Sequence, residues 1–286
     1  MYGLVWSEIV QGMRRGLLAG AAVLALVIPP GLRGAPDRLG TSVAAPSIAA
    51  ASSSQAAPDV VTRPPRFADF GSETPSPDAR HVANWVADSS DNANASFVIV
   101  DKKRARLYLF DPRARLRAAT PVLLGAARGD DSAPGIGSRP IAEVRPDERT
   151  TPAGRFVAER GHDVSGDDVV WVDYDAAVSM HRVVTTNPRE RRLARLATPS
   201  IDDNRISYGC INVPRAFYES YIRPTFATHR AIVYVLPDVK TVQQVFGSYD
   251  VAESAGRRVA ARANSTACSG PACAVSAPPS RPSPPS

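Results

Sequence analysis

The chain has 286 residues, of which 44% are hydrophobic, and it carries a net charge of +6 at pH 7. This length can hold one domain or two, and the hydrophobic fraction is sufficient for a globular core. The positive charge suits a protein that works beside a polyanion. However, the sequence has no zinc-finger spacing and no basic run interleaved with aromatic residues, which argues against nucleic-acid binding.

Composition divides the chain into an aromatic-rich middle and two flanks that are rich in Ala, Ser and Pro. Such flanks bury too little apolar surface to offset the entropy that ordering them would cost. We therefore predict one folded domain at 95–250. A Pro/Ala/Ser-rich linker at 31–94 is expected to precede it, and a disordered tail at 251–286 to follow it.

Residues 1–30 carry a targeting pattern, in which Arg14 and Arg15 precede an apolar run at 16–29. A basic segment followed by about 7–15 apolar residues is typical of a secretory signal, whereas a span of the bilayer needs about 20. The sequence therefore predicts export, with the segment acting as a signal peptide or as a membrane anchor. The structural alternative is a buried core helix.

The chain contains three cysteines, and two of them, Cys268 and Cys273, are close enough in sequence to bridge each other in an oxidising compartment. Cys210 then remains as an unpaired thiol, which in an exported protein is a candidate reactive group. The alternative for Cys210 is an inert buried thiol.

The predicted elements are mainly short strands separated by turns. In chain order they are a short helix at 81–89, strands at 96–100, 106–110 and 121–125, a loop at 126–150, a turn at 151–154, strands at 155–158, 169–174 and 177–181, a loop at 183–205, a helix at 214–221 and a strand at 231–236. Many short strands with few helices indicate a mostly antiparallel β domain.

Candidate chemistry concentrates at residues 206–213, Ile-Ser-Tyr-Gly-Cys-Ile-Asn-Val. Gly209 lets the backbone take conformations that other residues resist. Cys210 comes just before the predicted helix, where the helix dipole would favour a thiolate. The free N–H groups at the start of that helix could also stabilise an oxyanion during acyl transfer.

A thiol nucleophile needs a base, and the chain offers four histidines. His81 lies near the linker, His162 lies in a Gly/Asp loop, and His229 precedes the last strand. His181 ends a predicted strand, where a fold can hold a side chain rigidly, and it is the candidate base; a structural histidine is the alternative. No metal-ligand spacing and no serine-hydrolase motif is found, so neither a metal nor a cofactor is expected.

These segments resemble the signature of the L,D-transpeptidase (YkuD-type) family, a histidine followed by Ser-His-Gly-Cys, an apolar residue, and Asn or Arg. The chain supplies His181 and then the run from Ser207 to Asn212, with Tyr208 in place of the second motif histidine. Upstream, FVIVDKKRARLYLFD is similar to the family's opening hairpin and TPAGRF to its Thr-Pro-x-Gly-x-Phe turn. The resemblance covers roughly 96–237.

The resemblance implies a β-sandwich-like catalytic domain with short helices. It makes Cys210 the nucleophile and His181 the base, with the backbone carbonyl of Arg182 orienting the imidazole. It assigns the substrate and oxyanion contacts to a set within the motif: Ser207, Tyr208, Gly209 and Asn212.

The implied substrates are peptidoglycan stem peptides, and the implied location is the periplasm or cell envelope. The thiolate would attack after the L-centre of diaminopimelate, expel D-alanine and pass the acyl group to an amine on a second stem. Two alternatives remain: a cysteine hydrolase on the same scaffold, acting as a carboxypeptidase or endopeptidase, and a non-catalytic wall-binding module.

The chain departs from the family pattern in two ways. First, the Tyr208 phenol can donate a hydrogen bond but is a poor proton shuttle near neutral pH; the alternative is that Tyr208 fills space beneath the cysteine loop. Second, the segment between His181 and Cys210 is longer than usual. Its arginines could meet stem-peptide carboxylates or could form a solvated charge run; they are Arg189, Arg191, Arg192 and Arg195.

Overall fold

The computed structural model describes residues 63–227 and 229–267. The predicted targeting segment at 1–30, the first half of the predicted linker (31–62), and both Cys268 and Cys273 lie outside the described residues. Within the described part of the chain, no helix is long and apolar enough to cross a membrane.

The described elements are mostly strands, as the sequence predicts. The strands are β1 (Phe97–Asp101), β2 (Arg106–Phe110), β3 (Leu116–Pro121), β4 (Leu124–Gly125), β5 (Gly154–His162), β6 (Asp168–Asp173), β7 (Val178–Arg182), β8 (Arg205–Ser207), β9 (Ile211–Val213) and β10 (Ala231–Val235). The helices are α1 (Pro77–Ser89), α2 (Arg192–Ala197), α3 (Arg215–Phe217), α4 (Arg223–Thr225), α5 (Val242–Phe246) and α6 (Val251–Ala267), with a π-helical turn at Tyr218–Ile222 between α3 and α4.

Eight of these strands form one sheet in the order β3-β2-β1-β10-β5-β6-β7-β9. The pairs β1–β10 and β7–β9 are parallel, and the others are antiparallel. Just beyond β3, Leu123 exchanges two backbone hydrogen bonds of 3.0 and 2.8 Å with Asn212 of β9. The two edges of the sheet therefore nearly meet. The prediction of a mostly β fold with short helices is confirmed.

Successive side chains of a strand point to opposite faces of the sheet. In the central strands, both of these faces are buried. Val98 and Val100 point into the cluster enclosed by the sheet. Phe97 and Ile99 point into a second cluster, between the sheet and α1. A strand that is buried on both faces appears in the sequence as a continuous apolar run, which explains why β1 and β2 were predictable.

Helix α1 belongs to the folded domain, although the sequence predicts a linker up to residue 94. The Oγ of Ser76 accepts a 3.1 Å hydrogen bond from the N–H of Ala79 and caps the helix. Val82 and Val86 are fully buried in the second cluster. The folded part therefore begins before residue 95. Composition misplaced this boundary because the helix buries mainly small Ala and Val side chains.

The predicted disordered tail also requires correction, because residues 251–267 form helix α6. Val251 is buried at its start. Asp88 of α1 accepts a 2.8 Å hydrogen bond from the hydroxyl of Tyr249 and lies 3.7 Å from the guanidinium of Arg258. The folded part of the chain thus extends beyond the predicted boundary at residue 250.

Candidate functional site

The loop that carries Cys210 connects β8 to β9. Ser207, at the end of β8, donates from Oγ to the carbonyl of Cys210 at 2.6 Å and accepts from the N–H of Gly209 at 3.1 Å. The Ser207 hydroxyl therefore forms its hydrogen bonds within the loop, whereas the family resemblance implies that Ser207 contacts the substrate. The Gly209 N–H is likewise already engaged.

Gly209 is required by the geometry of this loop. Its φ of +131° is a conformation that residues with a side chain rarely adopt. In addition, a Cβ at this position would lie only 2.7 Å from the carbonyl oxygen of Thr150. The loop can pass this close to the segment before β5 only because residue 209 has no side chain.

The predicted helix at 214–221 is present, because α3, the π-helical turn and α4 follow one another from Arg215 to Thr225. However, strand β9 (Ile211–Val213) separates this helix from Cys210. A helix dipole acts mainly within the first turn, so it does not reach the thiol. The electrostatic environment of Cys210 is set by side chains of β7 instead.

Cys210 is a partly exposed free thiol. The Oγ of Ser179 lies 3.6 Å from its Sγ, and the carbonyl oxygen of Ala177 lies 3.7 Å from it. Burial opposes the thiolate, but the hydrogen bond and positive charge of His181, with further hydrogen bonds from Ser179, lower the pKa of Cys210 below its usual range.

The pKa of His181 shifts in the opposite direction to that of Cys210. Burial alone would lower its pKa, but the hydrogen bond and charge of Cys210, followed by the Arg182 carbonyl, raise it above the usual value. The charge of Arg192 acts weakly in the opposite sense. Each of the two groups therefore favours the charged form of the other.

The orientation of the His181 ring follows from one hydrogen bond. Its Nδ1 lies 2.7 Å from the carbonyl oxygen of Arg182. A carbonyl can only accept, so Nδ1 carries a proton and Nε2 is left for the thiol. The side chain of Arg182 is itself held by Glu219 at 2.6 Å and by Asp168 at 2.9 Å.

Asn212 supports the cysteine loop from inside the protein. It is fully buried, and its Nδ2 donates to the carbonyl of Cys210 at 3.3 Å. Its Oδ1 accepts a 2.6 Å hydrogen bond from the guanidinium of Arg192. These contacts make Asn212 a supporting group, in place of the substrate contact that the family resemblance implies.

The four arginines of the long segment divide into two pairs. Arg192 and Arg195 are turned inward: Arg192 also contacts Glu190 at 2.5 Å, and Arg195 donates to the carbonyls of Glu190 and Asp203. The other pair, Arg189 and Arg191, is exposed. Only the exposed pair fits either of the two predicted roles, a carboxylate contact or a solvated charge run.

Tyr208 is 37% exposed, so it does not fill space beneath the loop. The guanidinium of Arg149 lies over its ring, 4.0 Å from the centroid, in a cation–π contact. Among the hydrogen bonds found between described residues, none uses the Tyr208 hydroxyl. This hydroxyl is the group for which a donor role is predicted.

A cavity of about 410 Å³ opens beside His181. It is bordered by Arg182 and by further charged side chains at Asp163, Asp167 and Arg215. Its volume is in the range of small-molecule sites, but its lining does not include Cys210 or any other residue of the cysteine loop.

The remaining histidines are placed differently from His181. His81, in α1, shares a 3.0 Å hydrogen bond with the hydroxyl of Ser248. His162 ends β5 and pairs with Asp168 across the hairpin. In the part of the chain that the structure covers, no group of three or more His, Cys, Asp or Glu side chains is arranged to hold a metal ion.

Three contacts of the site were not foreseen from the sequence. Ser179 lies two residues before His181 on the same strand, so its side chain shares the face of the histidine. Arg192 reaches Asn212, and Thr151 reaches the carbonyl of Gly209, from distant segments. The sequence marks the Thr-Pro-x-Gly turn that contains Thr151 as a motif but indicates no contact with the cysteine loop.

No protein-family model matches the sequence, and no curated protein sequence matches it. Among solved structures, the chain is similar to the catalytic domain of an L,D-transpeptidase from E. faecium, at 15% identity over 50% of this chain and 98% of that one, with a TM-score of 0.29. It is also similar to the helical cell shape determining protein Pgp2 from Campylobacter jejuni, at 13% identity over 64% and 62% of the two chains (TM-score 0.35). An L,D-transpeptidase from Mycobacterium tuberculosis matches at 15% over 49% and 57% (TM-score 0.30). The chain thus spans less than two thirds of the last two structures.

Proposed function

We propose that the protein is a cysteine acyltransferase, an L,D-transpeptidase that acts on peptidoglycan stem peptides. The observation that carries the proposal is the arrangement around His181. Its Nδ1 is fixed on the Arg182 carbonyl at 2.7 Å, the Oγ of Ser179 on the same strand lies 3.6 Å from the free thiol of Cys210, and the His181 and Cys210 side chains shift each other's pKa toward the charged forms. A nucleophile, a base and a group that orients the base are the three parts of a covalent acyl-transfer site.

The reaction follows from these roles. The thiolate of Cys210 attacks the carbonyl carbon of the amide that follows the L-centre of diaminopimelate, and the carbonyl oxygen takes up negative charge. As this intermediate collapses, the C–N bond breaks and D-alanine leaves with a proton from His181. The amine of a second stem then attacks the thioester, His181 takes a proton from that amine, and the thiolate is released.

The choice of substrate is supported by the sequence. The segment from Ser207 to Asn212, the opening hairpin and the Thr-Pro-x-Gly turn occur together and in the family's order. The basic apolar start of the chain supports export to the periplasm or cell envelope, with attachment to the membrane if that segment is retained.

The test is incubation of the purified protein with a tetrapeptide stem, followed by mass analysis of the products. A cross-linked dimer with release of D-alanine supports transpeptidation. A free tripeptide without cross-links would replace the amine acceptor with water and make the protein a carboxypeptidase. No change in the substrate, with the same stem consumed by an established L,D-transpeptidase in parallel, would contradict the proposal.

A further inference from the structure

A buried threonine lies directly behind the Cys210 loop. Thr151, in the turn before β5, has no exposed surface. Its Oγ1 donates to the carbonyl of Gly209 at 2.7 Å and accepts from the N–H of Gly125 at 2.9 Å. With a donor and an acceptor both engaged, the hydroxyl holds the Gly209 carbonyl in one direction.

Fixing that carbonyl also fixes the neighbouring N–H. The peptide bond between Gly209 and Cys210 is planar, and in the trans form its C=O and N–H point in opposite directions. Because the carbonyl points inward to Thr151, the N–H of Cys210 points away from the core. Across the turns and loops that the structure describes, no hydrogen bond uses this N–H.

We infer that Thr151 is a positioning residue for acyl transfer, which holds the Gly209–Cys210 peptide so that the N–H of Cys210 can donate to the oxyanion. This inference rests on the proposed acyl-transfer chemistry and extends it to a residue 59 positions before the nucleophile. The Gly209 N–H cannot take this role while it donates to Ser207.

The backbone of Thr151 is anchored as firmly as its side chain. Its carbonyl accepts a 2.9 Å hydrogen bond from the ammonium of Lys102, which is fully buried. Lys102 is paired with Asp130 at 3.1 Å and with Asp238 at 3.4 Å. Arg205, two residues before Ser207, joins the same network through Asp238 at 2.7 Å. The charged network thus ties the threonine turn to the strand that leads into the cysteine loop.

The neighbouring residue provides a matched control. Thr150 is also buried, but its Oγ1 donates to the carbonyl of Asp131 at 2.9 Å, within its own loop. Replacing either threonine with valine removes one hydroxyl and keeps the shape of the side chain. Only the change at Thr151 removes a contact with the Cys210 loop.

The test compares two reactions of the same thiol in the full-length protein. In acylation by p-nitrophenyl acetate, the thiolate attacks the ester carbonyl, an oxyanion forms, and p-nitrophenolate leaves as the C–O bond breaks. In alkylation by iodoacetamide, the thiolate displaces iodide from carbon and no oxyanion forms. The rate of each reaction is read at the Cys210 peptide by mass spectrometry, which separates it from Cys268 and Cys273.

The inference predicts that Thr151→Val lowers the ratio of acylation to alkylation at least about tenfold, since losing an oxyanion donor outright costs about 10²–10³. Thr151→Ser and Thr150→Val should keep the wild-type ratio. If Thr151→Val does not fold, Thr151→Ala compared with Thr151→Ser tests the same difference.

An unchanged ratio in the variant without the hydroxyl would overturn the inference, as would an equal fall in both rates. A wild-type protein that is alkylated but not acylated would also overturn it. If the ester acylates Cys210 as predicted and stem peptides are not processed, the proposed substrate fails and the inference stands.

Discussion

The Nδ1–H of His181 donates a 2.7 Å hydrogen bond to the carbonyl of Arg182, the next residue in the chain. This bond fixes both the tautomer and the orientation of the imidazole. The other ring nitrogen is thereby left to accept the proton of Cys210. A base that is held by a backbone carbonyl does not depend on a third catalytic side chain.

His181→Ala should therefore slow acylation of Cys210 by about 10²–10⁴, the usual contribution of a general base. The rate of acyl-enzyme formation with a tetrapeptide stem measures this effect. The control variants are His81→Ala, His162→Ala and His229→Ala, and each should stay within about tenfold of the wild type. A dispensable His181 together with an essential histidine among these three would show that the base has been misassigned.

The reactivity of Cys210 should extend to lower pH than that of an ordinary thiol. The pKa of Cys210 is lowered by His181 and by Ser179, so the thiolate persists as pH falls below the usual thiol pKa and is lost only as pH passes the lowered value. The measurement is the pH profile of iodoacetamide alkylation at Cys210.

In the same profile, Ser179→Ala should move the inflection to higher pH, because it removes a hydrogen bond to the thiolate. Ser248→Ala is the matched control, since Ser248 is equally buried but is bonded to His81. Identical profiles for Ser179→Ala and the wild type would exclude a role for Ser179 in stabilising the thiolate.

Arg192 should matter more than the exposed arginines of the same segment. Arg192→Ala leaves the buried Oδ1 of Asn212 without its charged partner, and hydrogen bonds to charged groups contribute about 1.5–3 kcal/mol. We expect a loss of this size in the free energy of unfolding, measured by urea denaturation, and at least a tenfold slower acylation. Arg189→Ala should leave the free energy of unfolding unchanged, and an equal loss of stability in the two variants would contradict this role of Arg192.

Tyr208→Phe separates the hydroxyl of Tyr208 from its ring, because phenylalanine keeps the cation–π contact with Arg149. If the hydroxyl donates to the substrate, the rate on one stem peptide should fall about tenfold for a supporting bond and 10²–10³-fold for an oxyanion contact. Tyr208→His, which restores the family residue, should retain activity. Equal rates for Tyr208→Phe and the wild type would show that the hydroxyl has no role.

The sequence predicts the parts of this fold whose pattern is local. Strands β1 and β2 are visible because both of their faces are buried, and Cys210 stands out because its neighbours form a motif. Most of helix α1 is predicted, at 81–89, but its place in the folded domain and the whole of helix α6 are missed, because short Ala and Ser side chains look like linker composition. Strand β9 has three residues, too few for a period to show.

The supporting contacts of the site could not be predicted for a different reason. Thr151 and Arg192 reach the cysteine loop only because the sheet brings β5, β7 and β9 together. Which side chains meet there depends on the parallel pairing that sets His181 opposite Asn212. That register is a long-range property, and no local pattern in the sequence specifies it.

Trapping the acyl-enzyme tests most directly whether Cys210 is the nucleophile. Full-length protein is mixed with a tetrapeptide stem, quenched in acid and digested, and the mass of the Cys210 peptide is measured. We expect a thioester on Cys210 equal in mass to the tripeptide acyl group, released D-alanine, and neither product from Cys210→Ala. A Cys210→Ala protein that still processes the stem peptide would contradict this assignment.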